Sequence, residues 1–169
     1  MLRRSFQALD LTHLQSLDIS VENIEDLLFL WSRVFGPLPH LRTLRVRSAQ
    51  CSQSFVNHLW DEAVEALAQK GSHNPKTFSA LRTLRISDLD HSPPFTDIER
   101  LKGVLRHRSH FPLRLSKLVI IGPRLPDNIA AGFRSIIGEF ITKESDTQDD
   151  EDSDEEESVV AGFSESLRR

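Results

Sequence analysis

One spacing recurs four times along the chain: Leu14-x-x-Leu17-x-Ile19, Leu41-x-x-Leu44-x-Val46, Leu81-x-x-Leu84-x-Ile86 and Leu115-x-x-Leu118-x-Ile120. The middle two are nearly the same text, Leu41-Arg-Thr-Leu-Arg-Val beside Leu81-Arg-Thr-Leu-Arg-Ile. In each unit the last two apolar positions alternate with polar ones, which is the period of a β-strand with one buried face. The first leucines lie 27, 40 and 34 residues apart, in the range of stacked structural repeats. A chain built on such units must fold as strands that add side by side, with the intervening segments packed on one side of them.

Those intervening segments carry apolar residues at helical spacing. Ile24, Leu27, Leu28, Trp31 and Phe35 form one stripe; Phe55, Leu59, Ala63, Ala66 and Leu67 form a second. Ile98, Leu101 and Leu105 predict a third helix opened by the capping-box text Thr96-Asp-Ile-Glu99. Ile129, Phe133, Ile136, Ile137 and Phe140 predict a fourth, with Asp127 or Asn128 at its N-cap. Trp31 and Trp60, on or beside these stripes, are expected in the core. Gly36-Pro-Leu-Pro39, Gly71 to Pro75, Ser92-Pro-Pro94 and Gly122 to Pro126 separate the elements. The expected order is βαβαβαβα, in which each strand reaches its parallel neighbour by a right-handed crossover.

The four units resemble leucine-rich repeats, in particular the long, helix-containing, irregular kind of fungal F-box leucine-rich proteins. The resemblance covers roughly residues 9–142. It implies an α/β fold: a short right-handed leucine-rich repeat solenoid of about four βα repeats, with a parallel inner sheet and outer helices. It also implies a protein–protein interaction scaffold, the substrate-binding part of an F-box-type ubiquitin-ligase receptor. No F-box-like helical module precedes Leu9, so a Skp-type adaptor is expected only if an F-box lies outside this chain. Ser48-Ala-Gln50, Ser87-Asp-Leu89 and Ile121-Gly-Pro123 stand where the repeat consensus carries an asparagine.

Charge divides the chain in two. Residues 1–142 hold 18 basic and 14 acidic groups; residues 143–169 hold 3 and 11. From Glu144 to Glu157 ten of fourteen residues are acidic and none is apolar, so residues 143–169 are expected to form a disordered acidic tail. Within it Thr147 and Ser153 are followed by acids in the pattern acidophilic kinases favour and are candidate phosphosites. A second layout therefore competes with the first, since the chain is also similar to the acidic leucine-rich nuclear phosphoproteins. That likeness implies a nuclear protein binding basic partners such as histones. One cysteine, Cys51, rules out an internal disulfide framework and points to the cytoplasm or nucleus. The longest apolar run, Leu27 to Trp31, is too short for a membrane span. The opening Met1-Leu-Arg-Arg-Ser5 has the look of a mitochondrial presequence, but Asp10 and Asp18 argue against one.

Signals for catalysis are thin. Neither phosphate-loop glycine pattern occurs and there is no G-x-S-x-G elbow. His107-Arg-Ser-His110 is flanked by Arg106 and includes Arg108, which would repel a cation, and His58-Leu-Trp-Asp61-Glu62 lacks a second histidine. Expected, then, are no enzyme, no cofactor, no metal, no nucleic acid and no membrane, but a protein partner.

The stronger signal lies in the strand positions that alternate with the buried leucines. They form three columns on the inner surface of the arc: Ser16, Thr43, Thr83, Lys117; then Asp18, Arg45, Arg85, Val119; then Ser20, Arg47, Ser87, Ile121. The candidate binding surface is Asp18, Thr43, Arg45, Arg47, Thr83, Arg85, Lys117, Val119 and Ile121, with Arg42 and Arg82 at its edge. Arginines on adjacent strands about 4.8 Å apart suit an acidic or phosphorylated peptide; the plainer alternative is a solvated face with Asp18 as partial counter-ion.

Overall fold

A computed structural model describes residues 10–20, 27–68, 77–89 and 96–144. The elements run β1 (Ser16–Ser20), α1 (Leu27–Phe29) continuing into a π-helix (Leu30–Phe35), β2 (Thr43–Arg47), α2 (Ala49–Ala68), β3 (Thr83–Ser87), α3 (Thr96–Ser109), β4 (Lys117–Ile121), α4 (Asp127–Arg134) and β5 (Glu139–Lys143). The strands form one sheet whose spatial order is the chain order, β1 to β5, and all four pairings are parallel. This is an α/β fold with a five-stranded parallel sheet.

The register aligns Leu17, Leu44, Leu84, Leu118 and Phe140 in one row. Leu44, Leu84 and Leu118 are fully buried, Leu17 and Phe140 partly so. Ile19, Val46, Ile86 and Ile120 form the next buried row, and both rows join the helical residues in a single core. The helices therefore cover one face of the sheet. Just before the strands the backbone repeats itself. The Gln15 carbonyl accepts the N–H groups of Arg42 and Thr43, Arg42 those of Arg82 and Thr83, and Arg82 those of Ser116 and Lys117, all between 2.8 and 3.1 Å. Each L-x-x-L unit thus enters the sheet through the same hydrogen-bond geometry.

Two residues that directly follow a strand, Ser48 (φ 82°) and Asp88 (φ 58°), adopt the left-handed conformation. They open the loops that leave β2 and β3, and each sharp turn needs a residue that tolerates positive φ or compensates for it locally. Between β2 and β3 the ladder stops at Val46 and Ile86, one pair short of its neighbours. There the buried Ser52 hydroxyl, from the first turns of α2, donates to the Ser87 carbonyl at 2.6 Å.

Trp31 is the centre of the aromatic core, edge-on to Phe55 at 5.2 Å and with Phe78 at 6.3 Å. The π-helix brings it there: the Gly36 N–H reaches back five residues to the Trp31 carbonyl at 2.9 Å. A Cβ on Gly36 would stand 2.5 Å from that oxygen, so a side chain cannot be accommodated without displacing the turn. Trp60 is half-buried against the core, and the inward placement expected of both tryptophans holds.

Several expectations are corrected. The fourth apolar stripe does not form one helix: α4 ends at Arg134, and Phe140 lies in a fifth strand, its ring stacked on Phe133 at 5.1 Å. Gly138 permits this strand, because the Glu139 N–H bonds the Ser116 carbonyl at 2.8 Å while a Cβ on Gly138 would approach the same oxygen to 3.1 Å. The N-cap of α4 is Pro126, whose carbonyl accepts the N–H groups of Ile129 and Ala130 at 3.0 Å, and not Asp127 or Asn128. Leu28 and Leu67, counted in apolar stripes, are 57% and 67% exposed. Lys143, expected to open the tail, instead closes β5, while Ile24 and residues 145–169, with Thr147 and Ser153, lie outside the described residues.

Candidate functional site

On the face of the sheet turned away from the helices, the register assembles the three expected columns and extends each by one residue. They read Ser16, Thr43, Thr83, Lys117, Glu139; Asp18, Arg45, Arg85, Val119, Ile141; and Ser20 beside Arg47, with Ser87 beside Ile121 and Lys143. Alternation along each strand puts these side chains opposite the buried leucines. Most are half-buried or exposed; Ser87 and Val119 are buried, at 9% and 6% exposure.

Charge is unevenly spread over this face. Asp18 accepts a two-pronged contact from Arg47, Nε at 2.9 Å and Nη2 at 2.6 Å, and its Oδ2 lies 3.8 Å from Arg45 Nη1. The planar fork fits the carboxylate geometry, yet both side chains are more than a third exposed, so the pair contributes only about 0–1 kcal/mol. At the far side Lys117 faces Glu139 at 3.4 Å. Among the described residues of this face the acids therefore stand on β1 and β5, the arginines Arg45 and Arg85 on the central strands, and the apolar Val119, Ile121 and Ile141 on β4 and β5. The counter-ion role of Asp18 is realised, but chiefly toward Arg47.

Arg42 and Arg82 stand just before β2 and β3, both exposed. Arg82 also lines a shallow open depression of about 450 Å³ with Pro112, Arg114, Leu115, Ser116 and Gly138. It adjoins the strand entrances and not the open face itself.

Sequence reasoning missed two features beside this face. The first is β5, which supplies Glu139, Ile141 and Lys143. The second is Arg108, read as part of a basic helix end but only 3% exposed. Its Nη1 and Nη2 donate to the Thr77 and Phe78 carbonyls at 3.0 and 2.7 Å. Thr77 in turn donates through N–H and hydroxyl to the Glu62 carboxylate at 2.9 and 2.6 Å. Burial lowers the pKa of Arg108, Glu62 opposes that shift and Arg82 adds to it. This network fixes Phe78, which is fully buried with φ 54° and whose N–H bonds the Gly36 carbonyl at 2.6 Å. It ties α2, α3 and the loop before β3 into one unit.

Of the histidines singled out, His107 is half-buried and His110 exposed, and no group of three or more metal-ligating side chains occurs among the described residues. His58 is partly buried, edge-on to Phe78 at 6.4 Å. Burial lowers its pKa, with Glu62 and Asp61 opposing the shift. No described helix is long and apolar enough to cross a membrane.

No family model matches this chain, and no curated protein or solved structure matches it.

Proposed function

We propose that this chain is a leucine-rich-repeat-type solenoid that works as a protein-interaction scaffold, binding an acidic or phosphorylated peptide across the open face of its sheet. The reading extends to the substrate-binding part of an F-box-type ubiquitin-ligase receptor in the cytoplasm or nucleus. On this reading the chain binds and does not catalyse. What carries the proposal is one observation: Arg45 and Arg85 occupy the same row on neighbouring central strands, on the face that the helices leave uncovered. Two arginines on adjacent strands about 4.8 Å apart can share one carboxylate cluster or phosphate, each with paired N–H donors. In support, the in-register rows and the repeated backbone entry to each strand are what stacked repeats require.

The test is binding of fluorescent peptides, phosphorylated, acidic and neutral, to the full chain by anisotropy. Phosphorylated or acidic peptides are expected to bind, and Arg45→Glu with Arg85→Glu to weaken them at least tenfold. Val64→Asp with Leu67→Asp, on the exposed side of α2, should leave binding unchanged. Equal binding of neutral and acidic peptides, or indifference to the arginine reversal, overturns the reading.

A further inference from the structure

The open face has two ends of different chemistry, and that asymmetry specifies more than a taste for negative charge. Along the central row the residues pass from Asp18 through Arg45 and Arg85 to Val119 and Ile141. In the next row Ile121 lies between Ser87 and Lys143. Of the three apolar side chains, Ile121 and Ile141 are half-buried and keep surface to offer, whereas Val119 has little. A ligand that uses the whole face must carry acid over β2 and β3 and bulky apolar groups over β4 and β5.

The separations can be set in residues. Adjacent strands are about 4.8 Å apart, so Arg85 to Ile141 spans about 10 Å and Arg45 to Ile141 about 14 Å. An extended peptide advances about 3.3–3.6 Å per residue. The fitting sequence therefore has acids followed, three or four positions later, by an apolar residue.

The chain contains such a sequence: Asp154-Glu-Glu-Glu-Ser-Val159-Val160-Ala-Gly-Phe163. Glu157 to Val160 is three residues and Glu156 to Val160 four, which match the two spans. We propose that residues 154–163 are the face's own occupant. Their acids lie over Arg45 and Arg85, and Val159, Val160 and Phe163 lie over Ile121 and Ile141. The proposal rests on the peptide-binding reading above and adds its regulation, since an external partner must then displace a tethered segment. Reach does not forbid it. The last strand ends at Lys143, three strands from Arg45, and the ten residues 144–153 extend to about 33–36 Å. Asp18 directs the contact inward, because its grip on Arg47 makes the rim of the arginine cluster the weaker place for a second acid.

The full chain tests this with a nitroxide on Ser158→Cys. Cys51 is fully buried, so the label goes to the new thiol. Paramagnetic broadening should be at least threefold stronger at Val119, Ile121 and Ile141 than at Val64 and Leu67. It should vanish in Arg45→Glu/Arg85→Glu and in Val159→Asp/Val160→Asp. Broadening no stronger on the open face than on α2 overturns the proposal. So does broadening seen only between labelled and unlabelled molecules, which assigns the occupant to a second copy. A synthetic peptide of residues 152–163 separates this failure from failure of the peptide-binding reading. The full chain with Glu155, Glu156 and Glu157 changed to Gln and Val159 and Val160 to Asp should bind it at least tenfold more tightly than the unaltered chain at low salt. Equal binding by both, abolished by the arginine reversal, leaves a peptide-binding face without a tethered occupant. Binding by neither removes both ideas.

Discussion

The same five strands present two faces that follow different rules. Toward the helices the central row is Leu17, Leu44, Leu84, Leu118 and Phe140; away from them it is Asp18, Arg45, Arg85, Val119 and Ile141. The covered face repeats one chemistry because every position there must fill dense space without voids. The open face changes sign and polarity from strand to strand because its positions, the buried Ser87 and Val119 apart, keep contact with solvent, which tolerates any of these side chains. Stability is therefore concentrated on one side of the sheet, and side-chain chemistry can vary on the other, where the proposed binding would take place.

The most damaging way to break this division is a cavity on the covered face. Leu84 is fully buried on the central strand, so Leu84→Ala should cost about 2–5 kcal/mol. Denaturant unfolding measures it, and a loss below about 1 kcal/mol would mean the row is not a packed core.

Next comes the buried polar tie. Arg108→Met keeps much of the side-chain volume but strips the Thr77 and Phe78 carbonyls of their donors. Two buried acceptors left unsatisfied should cost about 2–4 kcal/mol. Protection of the Phe78 amide against hydrogen exchange should fall with it, since that N–H bonds Gly36 within the same unit.

What could be read from the text follows the same division. Leu17, Leu44, Leu84 and Leu118 were legible because strand alternation and a fixed spacing coincide at them, and their neighbours' registry followed at once. β5 was not, since Glu139 to Lys143 lacks the leucine spacing, and Phe140 also falls at helical intervals from Phe133 and Ile136. Gly138 and its close approach to Ser116 decide between the two, and that contact is tertiary. Arg108 was illegible for a related reason. Its acceptors sit some thirty residues upstream, in a loop whose shape local sequence does not announce. On the open face the arginine row was predictable as a row; that Asp18 would settle on Arg47, one row over, depends on side-chain reach.

A smaller effect sharpens the comparison through pH. His58 has its pKa held below the ordinary value by burial. The unfolded chain therefore binds a proton that the folded chain resists once pH falls below about 6.5. The stability this contributes is complete above that pH and is lost as pH falls toward the depressed folded pKa. Thermal unfolding between pH 7.5 and 5.5 should show the decline, and His58→Gln should flatten that part of it. An identical profile for the variant would mean other groups carry the dependence.

The smallest expected effect lies on the open face. Asp18 and Arg47 make a two-pronged ion pair there, at 2.6 and 2.9 Å, yet exposure and the loss of side-chain freedom offset most of its attraction. A double-mutant cycle of Asp18→Ala and Arg47→Ala should return a coupling of about 0–1 kcal/mol that shrinks with salt. The same substitution should act in the opposite direction on binding. Removing Asp18 deletes a carboxylate beside Arg45 and Arg47 on that edge, so affinity for an acidic peptide should rise severalfold at low ionic strength while stability hardly moves. A coupling well above 1 kcal/mol, or a peptide affinity that falls in Asp18→Ala, would make this pair part of the scaffold, and the division between the two faces would no longer hold at β1.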